Sequence, residues 1–354
     1  MGLITNQTGI DQDGRRTIDV LAQAPDVRLV ALFSPEHGIA GTSTDAIVTD
    51  TTDAATGTPI YSLYGNVRRP NSGMLQNLDA LVFDMQDAGV RFYTYITTMA
   101  YCMEEAARHK IPFFVLDRPD VLGGEVIEGP MLDADRISFT GYFPMPVRYA
   151  MTLGELARMF NGENHIGADL HVFAMQGWHR EETYDQTGLK WIPPSPNLRT
   201  VNEALLYPGI EILQAGGVSA GRGTDTPFEI LGAPWIRADA FAAALNRRRI
   251  PGVSFALAEF TPSSDLYRGQ VCRGVRIALK GRSSFRSIRT GLEIADVLHR
   301  MYAEHFDLEK INELLGSRST IDRLKRGDAP ADIVAGWSHD LEKFRQMRQK
   351  YLLY

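Results

Sequence analysis

Glu36 and His37 stand side by side in the run SPEHG at 34–38, directly after the apolar stretch from Val27 to Phe33. A carboxylate beside an imidazole at the end of a strand can give and take protons near neutral pH. Pro35 fixes the backbone before Glu36 and Gly38 permits a sharp turn after His37, so the carboxylate would be presented rigidly. Glu36 is therefore the candidate proton donor, set against a role capping the following loop or pairing with an arginine. His37 either tunes Glu36 or bonds a backbone carbonyl. Asp84 and Asp87 are the acids available as a second carboxylate, set against capping the helix that follows them.

These groups need elements to position them. The first third of the chain alternates short apolar runs with helical patterns, the signature of βαβ units and a parallel sheet. Strands are expected at Leu3–Thr5, Val27–Phe33, Ala80–Asp84 and Phe113–Leu116, with Ile60–Leu63 a fifth. Helices are expected at Thr17–Ala24 and Tyr95–His109, the latter with Ile96, Met99, Met103 and Ala107 on one face. Open α/β sheets bind ligands at the carboxyl ends of their strands. All four clear ends here are polar: Asn6, Gln7 and Thr8; Ser34, Glu36 and His37; Asp84, Gln86, Asp87 and Arg91; Asp117 and Arg118. They are expected to converge on one edge.

Further along, Thr152–Phe160 reads as a helix whose Thr152 and Glu155 form a capping box, which makes Glu155 structural. Leu170–Ala174 is another strand candidate. WIPPSPN at 191–197 is too proline-rich for a helix and reads as a rigid extended loop. GGVSAGRGTDTPFE at 216–229 is glycine-rich, but Arg222 and Gly223 stand where a phosphate-binding loop needs Lys and Ser/Thr. No GxGxxG follows the first strand, so a dinucleotide fingerprint is missing. After about residue 236 come a helix from Ala238, strands at Val253–Phe260 and Gly274–Leu279, a helix at Arg289–Phe306 and a final helix carrying Ile333, Trp337, Leu341 and Phe344. A smaller second domain is thus expected at 237–354.

Composition excludes some classes. The chain has 354 residues, 44% hydrophobic and 23% charged, and a formal net charge of −6. That balance fits a folded protein of about two domains and argues against an electrostatic nucleic-acid binder. The densest basic run, RRRI at 247–250, reads as the solvated end of a helix. Cys102 and Cys272 form no metal-ligand spacing and no disulfide framework. No membrane span or signal peptide is expected from the hydropathy pattern. GLIT at 2–5 already reads as a strand with nothing before it, so a shortened start is expected.

GLITNQTG at 2–9, SPEHG at 34–38, FDMQDAGVRFYTYI at 83–96, VLDRP at 115–119, PPSPN at 193–197, GRGTDTPFE at 221–229 and the closing KYLLY at 350–354 together resemble one family. That family is the exo-β-N-acetylmuramidases of the NamZ type, peptidoglycan hexosaminidases, and the resemblance runs over essentially the whole chain. It implies an α/β fold: a Rossmann-like catalytic domain at 1–236 that binds no nucleotide, a smaller α+β auxiliary domain at 237–354, and a cleft between them. It implies hydrolytic release of N-acetylmuramic acid from the non-reducing end of peptidoglycan fragments and suggests an extracytoplasmic or periplasmic setting, a cytoplasmic one being the alternative; no cofactor and no metal are expected. Two positions depart from the pattern: relatives often carry an acid where this chain has Gln214, and another where it has Ala220. The family's upstream segment is also absent, in keeping with a shortened start.

Seen as a glycosidase, the chain offers Glu36 as general acid/base, supported by His37, with Asp84 or Asp87 as second carboxylate. The substrate's own acetamido group is the alternative to a second carboxylate. The lactyl ether of muramic acid adds a carboxylate that asks for a cation, and Arg91, Arg118 and Arg222 are the candidates, each set against an internal ion pair. Tyr93 and Tyr95 are candidates to stack on a sugar face, or to place one ring in the core and one in the cleft. Asn6, Asn197 and Thr224 are candidate hydroxyl or acetamido partners, set against turn roles. Two other functions remain distinguishable. One is a metal-dependent hydrolase using Glu36, His37, Asp84 and Asp117. The other is a silent muramic-acid-binding protein, which Gln214 and Ala220 keep open.

Overall fold

The fold is described from a computed structural model that covers all 354 residues. Twelve strands occur in chain order: β1 (Gly2–Thr5), β2 (Ala31–Ser34), β3 (Thr51–Thr52), β4 (Pro59–Ser62), β5 (Leu81–Asp84), β6 (Phe113–Leu116), β7 (Glu128–Met131), β8 (Pro146–Arg148), β9 (Leu170–Phe173), β10 (Ile230–Ala233), β11 (Val253–Phe260) and β12 (Cys272–Leu279). Seven of them form one sheet in the order β3-β4-β2-β1-β5-β6-β9. All pairings in it are parallel except that of the edge strand β3. β1, β2 and β5 are buried along their whole length, as strands covered on both faces must be.

The second strand is shorter than expected, Ala31–Ser34 instead of Val27–Phe33. Its register with β1 starts at Gly2↔Ala31, and the residues just before it meet the chain through single bonds, Val30 N–H to the Met1 carbonyl at 3.0 Å and the Met1 amine to the Arg28 carbonyl at 2.7 Å. The two faces of the sheet are covered unequally. Helix α1 (Thr17–Gln23) packs over Leu3, Leu32, Ile60 and Val82, a satellite cluster of five buried residues. The opposite face joins a single cluster of 77 buried residues that continues into the carboxy-terminal helices, so the two parts of the chain share a core. Helices α2 (Tyr95–His109) and α3 (Leu153–Glu163) lie over that face, and the Thr152/Glu155 capping box opens α3.

The smaller sheet is antiparallel, β10-β12-β11, and packs on α5 (Ala238–Arg247). Arg248, in the basic run expected to be solvated, pairs instead with Glu293 at 3.0 Å and with Asp296. Helix α4 (Val201–Gln214) connects the two parts and crosses α6 (Ser287–Tyr302) at a pair of glycines. A Cβ on Gly209 would lie 1.9 Å from the Ser287 carbonyl oxygen, and one on Gly291 2.3 Å from that of Gly209. Only residues without a side chain allow this approach. The last expected helix is two helices: after α7 (Asn312–Leu315) and α8 (Arg318–Lys325), α9 (Pro330–Ala335) stops at Gly336 and α10 (Ser338–Arg348) starts after Trp337. No helix is long and apolar enough to cross a membrane.

Candidate active site

β2 delivers Glu36 into a cavity of about 390 Å³, a size suited to a small molecule. The turn after β2 is tight: His37 has φ 71° and Gly38 φ 73°. His37 Nδ1 lies 2.7 Å from the Ser43 carbonyl; because a carbonyl only accepts, that nitrogen carries the proton, and the bond holds the turn. Glu36 takes a 2.6 Å hydrogen bond from Thr94 Oγ1 on one oxygen, at the entry to α2.

The opposite wall comes from α4 and the loop after it. Tyr207 and Glu211, one helical turn apart, both line the cavity, as do Arg222, Phe228 and Leu314. Arg222 holds Glu211 at 2.5 Å and lies 3.9 Å from Asp265. Burial raises the Glu211 carboxyl above the usual carboxylate range, with Arg222 opposing the shift. Glu36 and Glu211 are the two carboxylates of this cavity. The remaining wall carries Tyr64 and Arg68 from the segment after β4, and Ser138, Phe139 and Thr140. Burial and then the Glu36 charge push the Tyr64 phenol up to about 12.

Several residues expected to share this site do so: Glu36, His37, Tyr93, Asn197 and Arg222 all line it. The alternating tyrosines divide as one of their two readings had it. Tyr93 faces the cavity, while Tyr95 is fully buried, accepting from Asn6 Nδ2 at 3.0 Å and donating to the Pro194 carbonyl at 2.9 Å. Asn6 is thereby engaged in the floor, and its Oδ1 also accepts from the Thr8 amide at 2.9 Å. Gln7 donates to the Pro193 carbonyl at 2.8 Å, so the proline-rich loop that presents Ser195 and Asn197 is fastened to the end of β1.

The other candidates lie elsewhere, which corrects the expected convergence on one site. Asp84 accepts from Arg118 Nε at 2.6 Å and Thr17 Oγ1 at 2.5 Å, and all three line a second cavity of about 540 Å³. Asp117 lines that cavity too, and is held by Thr152 at 2.7 Å, the Gly154 amide at 2.7 Å and Tyr354 at 2.8 Å. The proposed metal quartet of Glu36, His37, Asp84 and Asp117 is therefore split between two cavities, and no group of three or more metal-binding side chains forms anywhere in the chain. Asp87 is buried between Tyr149 and the Gly89 amide, and burial raises its carboxyl to about 6. Arg91 is completely buried and donates to the carbonyls of Pro130, Met145, Leu314 and Leu315 at 2.7–3.1 Å; burial pulls it down to about 9. It fastens the carboxy-terminal helices to the sheet domain rather than facing a ligand. Thr224 Oγ1 closes its own turn on the Gly221 carbonyl at 2.6 Å.

Tyr64, Arg68, Thr94, Ser195, Tyr207 and Glu211 were not singled out from the sequence. Tyr64 and Arg68 follow a strand, β4, and the rule that polar strand ends gather the site would have reached them. Glu211 sits inside an apolar helix and gives no such signal. Gln214 and Ala220, the departures noted above, adjoin each other, with the Ala220 amide 3.4 Å from Gln214 Oε1; neither lines the cavity.

A polar, aromatic-walled cavity with two carboxylates at the strand ends of a parallel α/β sheet offers the groups that glycoside hydrolysis uses. Comparison with known proteins makes this specific. The amino-terminal family description "Exo-beta-N-acetylmuramidase NamZ, N-terminal" matches residues 1–202 and its carboxy-terminal counterpart residues 205–354. The peptidoglycan beta-N-acetylmuramidase NamZ of Bacillus subtilis (strain 168) is 41% identical over 361 aligned positions, covering 100% of this chain and 86% of that protein. Two crystal structures of DUF1343 family proteins from Bacteroides fragilis NCTC 9343 superpose with TM-scores of 0.92 and 0.82, at 38% and 30% identity, each covering all of this chain and 93% of the other. The chain belongs to the NamZ family of exo-β-N-acetylmuramidases, a family of glycoside hydrolases.

Proposed function

We propose that this chain releases N-acetylmuramic acid from the non-reducing end of peptidoglycan fragments, in the 390 Å³ cavity, with Glu36 as general acid/base. The observation that carries the reading is the contrast between the two carboxylates there. Glu211 is engaged by two guanidinium nitrogens of Arg222, at 2.5 and 3.2 Å. No cation pairs with Glu36: Thr94 donates to one of its oxygens at 2.6 Å and the Tyr64 hydroxyl stands beside it in the cavity wall, so the carboxylate stays open to the substrate. A proton donor must reach the leaving oxygen directly, so the freely presented carboxylate is the one suited to the task.

In this reading Glu36 protonates the glycosidic oxygen as the bond to the anomeric carbon breaks, then deprotonates the water that completes hydrolysis. Thr94 fixes its rotamer, and the His37–Ser43 bond fixes the turn beneath it. Glu211, locked by Arg222, accepts from sugar hydroxyl or acetamide N–H groups and thereby orients the ring. Tyr93 and Tyr207, whose rings meet edge-on at 6.2 Å, supply an apolar wall for the sugar face. Asp84 and Asp87, expected as second carboxylates, have no part in this scheme because neither lines the cavity.

Glu36→Gln keeps the shape and the Thr94 contact but removes the proton. Release from a chromogenic N-acetylmuramic acid glycoside should fall about 10²- to 10⁴-fold, the usual weight of general acid–base catalysis. Near-normal turnover by this variant would rule the assignment out. End specificity is checked by giving the enzyme the muramic acid-glucosamine disaccharide and its glucosamine-terminated counterpart and identifying the products; only the former should be cleaved.

A further inference from the structure

We infer that Arg68 is the residue that reads the lactyl carboxylate, and so sets the preference for muramic acid over an uncharged N-acetylhexosamine. The inference rests on the proposed function of the cavity, and on how the cavity's cations are used. Two guanidinium groups line it, Arg222 and Arg68. Arg222 is already compensated by Glu211 at 2.5 Å, with Asp265 a further 3.9 Å neighbour. A substrate carboxylate that approached Arg222 would have to displace or share a buried pair.

Arg68 has no such partner. No carboxylate lies within ion-pair distance of it, and it makes no hydrogen bond to the protein. Its neighbour Arg69 is, by contrast, paired with Glu104 and Glu105. The Arg68 guanidinium lies 4.4 Å from the centre of the Phe139 ring, which restrains its plane while leaving the donor edge free. Phe139 stacks obliquely on Tyr64 at 6.2 Å, and Tyr64 feels both Glu36, which raises its phenol, and Arg68, which opposes that shift. The free cation and the proton donor thus flank one tyrosine. A sugar whose anomeric oxygen meets Glu36 carries its lactyl group two ring carbons away, and Arg68 lines the same cavity. A planar fork facing a carboxylate gives the bidentate geometry that a lysine would not.

The test compares the full-length wild type with Arg68→Met and Arg68→Lys on three chromogenic glycosides: N-acetylmuramic acid, its lactyl carboxamide, and N-acetylglucosamine. Arg68 is exposed, so both variants should melt with the wild type. Arg68→Met should lose about 10- to 100-fold in kcat/KM on the acid, mostly through KM, and change little on the carboxamide, with the glucosaminide left uncleaved by both proteins. Arg68→Lys should recover part of the loss. The wild-type KM for the acid should rise with salt, and that of Arg68→Met should not. An unchanged ratio of acid to carboxamide in Arg68→Met would overturn the inference. A calorimetric titration with free N-acetylmuramic acid and N-acetylglucosamine separates this from the wider reading. If the wild type hydrolyses none of the glycosides yet binds muramic acid at least tenfold better, and Arg68→Met does not, then the hydrolase reading fails while the role of Arg68 stands. Equal binding of the acid by wild type and variant sinks the role of Arg68 whatever the activity.

Discussion

The cavity around Glu36 and the larger one around Asp84 both open at the carboxyl ends of strands in one sheet, yet they dispose of their charges in opposite ways. Around Asp84 the acid, the base and the hydroxyl satisfy one another: Arg118 and Thr17 take both carboxylate oxygens, and Arg118 spends another nitrogen on the Ile10 carbonyl. Around Glu36 the groups are held but not consumed, with a carboxylate that no cation pairs and one guanidinium left for a ligand. Cavity size is thus the wrong criterion, since the 540 Å³ space is the one whose charges are already spent. A strand end rich in charged residues marks a site only where the fold leaves some of them unpaired.

Crossing two substitutions breaks or upholds this contrast. Glu36→Gln should remove activity, by the 10²- to 10⁴-fold given above, and leave the urea midpoint in place. Asp84→Asn should do the reverse. Asp84 is 1% exposed, and taking its charge away strands Arg118, a loss of about 3–5 kcal/mol of stability. The folded fraction should hydrolyse substrate within about threefold of the wild type. If Asp84→Asn instead behaves like Glu36→Gln, with stability intact and turnover lost, the division of labour between the cavities is wrong.

Asp87 shows a third treatment of an acid at the end of β5, neither free nor ion-paired but displaced toward neutrality. Burial lifts its carboxyl from 3.8 to about 6, with the Tyr149 hydroxyl and the Gly89 and Ala88 amides pulling the other way. Between about pH 4 and 6 the unfolded chain has released this proton while the native chain keeps it. The native state binds more protons there, so the contribution of Asp87 to stability is full below about pH 4 and is lost as pH rises through 6. Asp87→Asn cannot ionise. Its stability relative to the wild type should therefore climb across that window by up to about 3 kcal/mol. Urea titrations at pH 4, 5, 6 and 7 check this, and a difference that does not vary with pH would show that Asp87 is ionised in the native state. Asp120, raised to about 7 chiefly by burial, also feels the Asp87 charge, so Asp87→Asn removes that smaller part of its shift and the points from pH 4 to 6 carry the test.

Much of the scaffold was legible because buried parallel strands and amphipathic helices write their periods directly into the sequence. β1, β5, β6 and α2 fall where the apolar runs place them. The candidate site was reached for the same reason, through SPEHG at a strand end. What the one-dimensional pattern lacks is pairing. Arg91 reads as a free cation until four carbonyls from segments as distant as Leu315 are seen to surround it. Asp84 reads as a free acid until the register brings Arg118 beside it. Glu211 has the opposite problem: inside an apolar helix it resembles a solvent-facing position, and only the approach of Arg222 from a later loop reveals where it points. Charge says that a residue can act; only its partners say whether it is free to.

Thr224 tests the same principle at its smallest scale. It lies two residues from Arg222 in the same glycine-rich loop, and both were candidates for the substrate. Arg222 turns into the cavity and Thr224 does not, because its hydroxyl closes a 2.6 Å bond on the Gly221 carbonyl and also receives the Thr226 amide at 3.2 Å. Thr224→Ala should therefore cost about 0.5–1.5 kcal/mol, the net worth of the turn's hydrogen bonding, with KM for the muramic acid glycoside unchanged. A rise in KM of tenfold without loss of stability would mean that the hydroxyl leaves its turn to meet the sugar, and that this loop, unlike the strand ends around Asp84, keeps its polar groups available to a ligand.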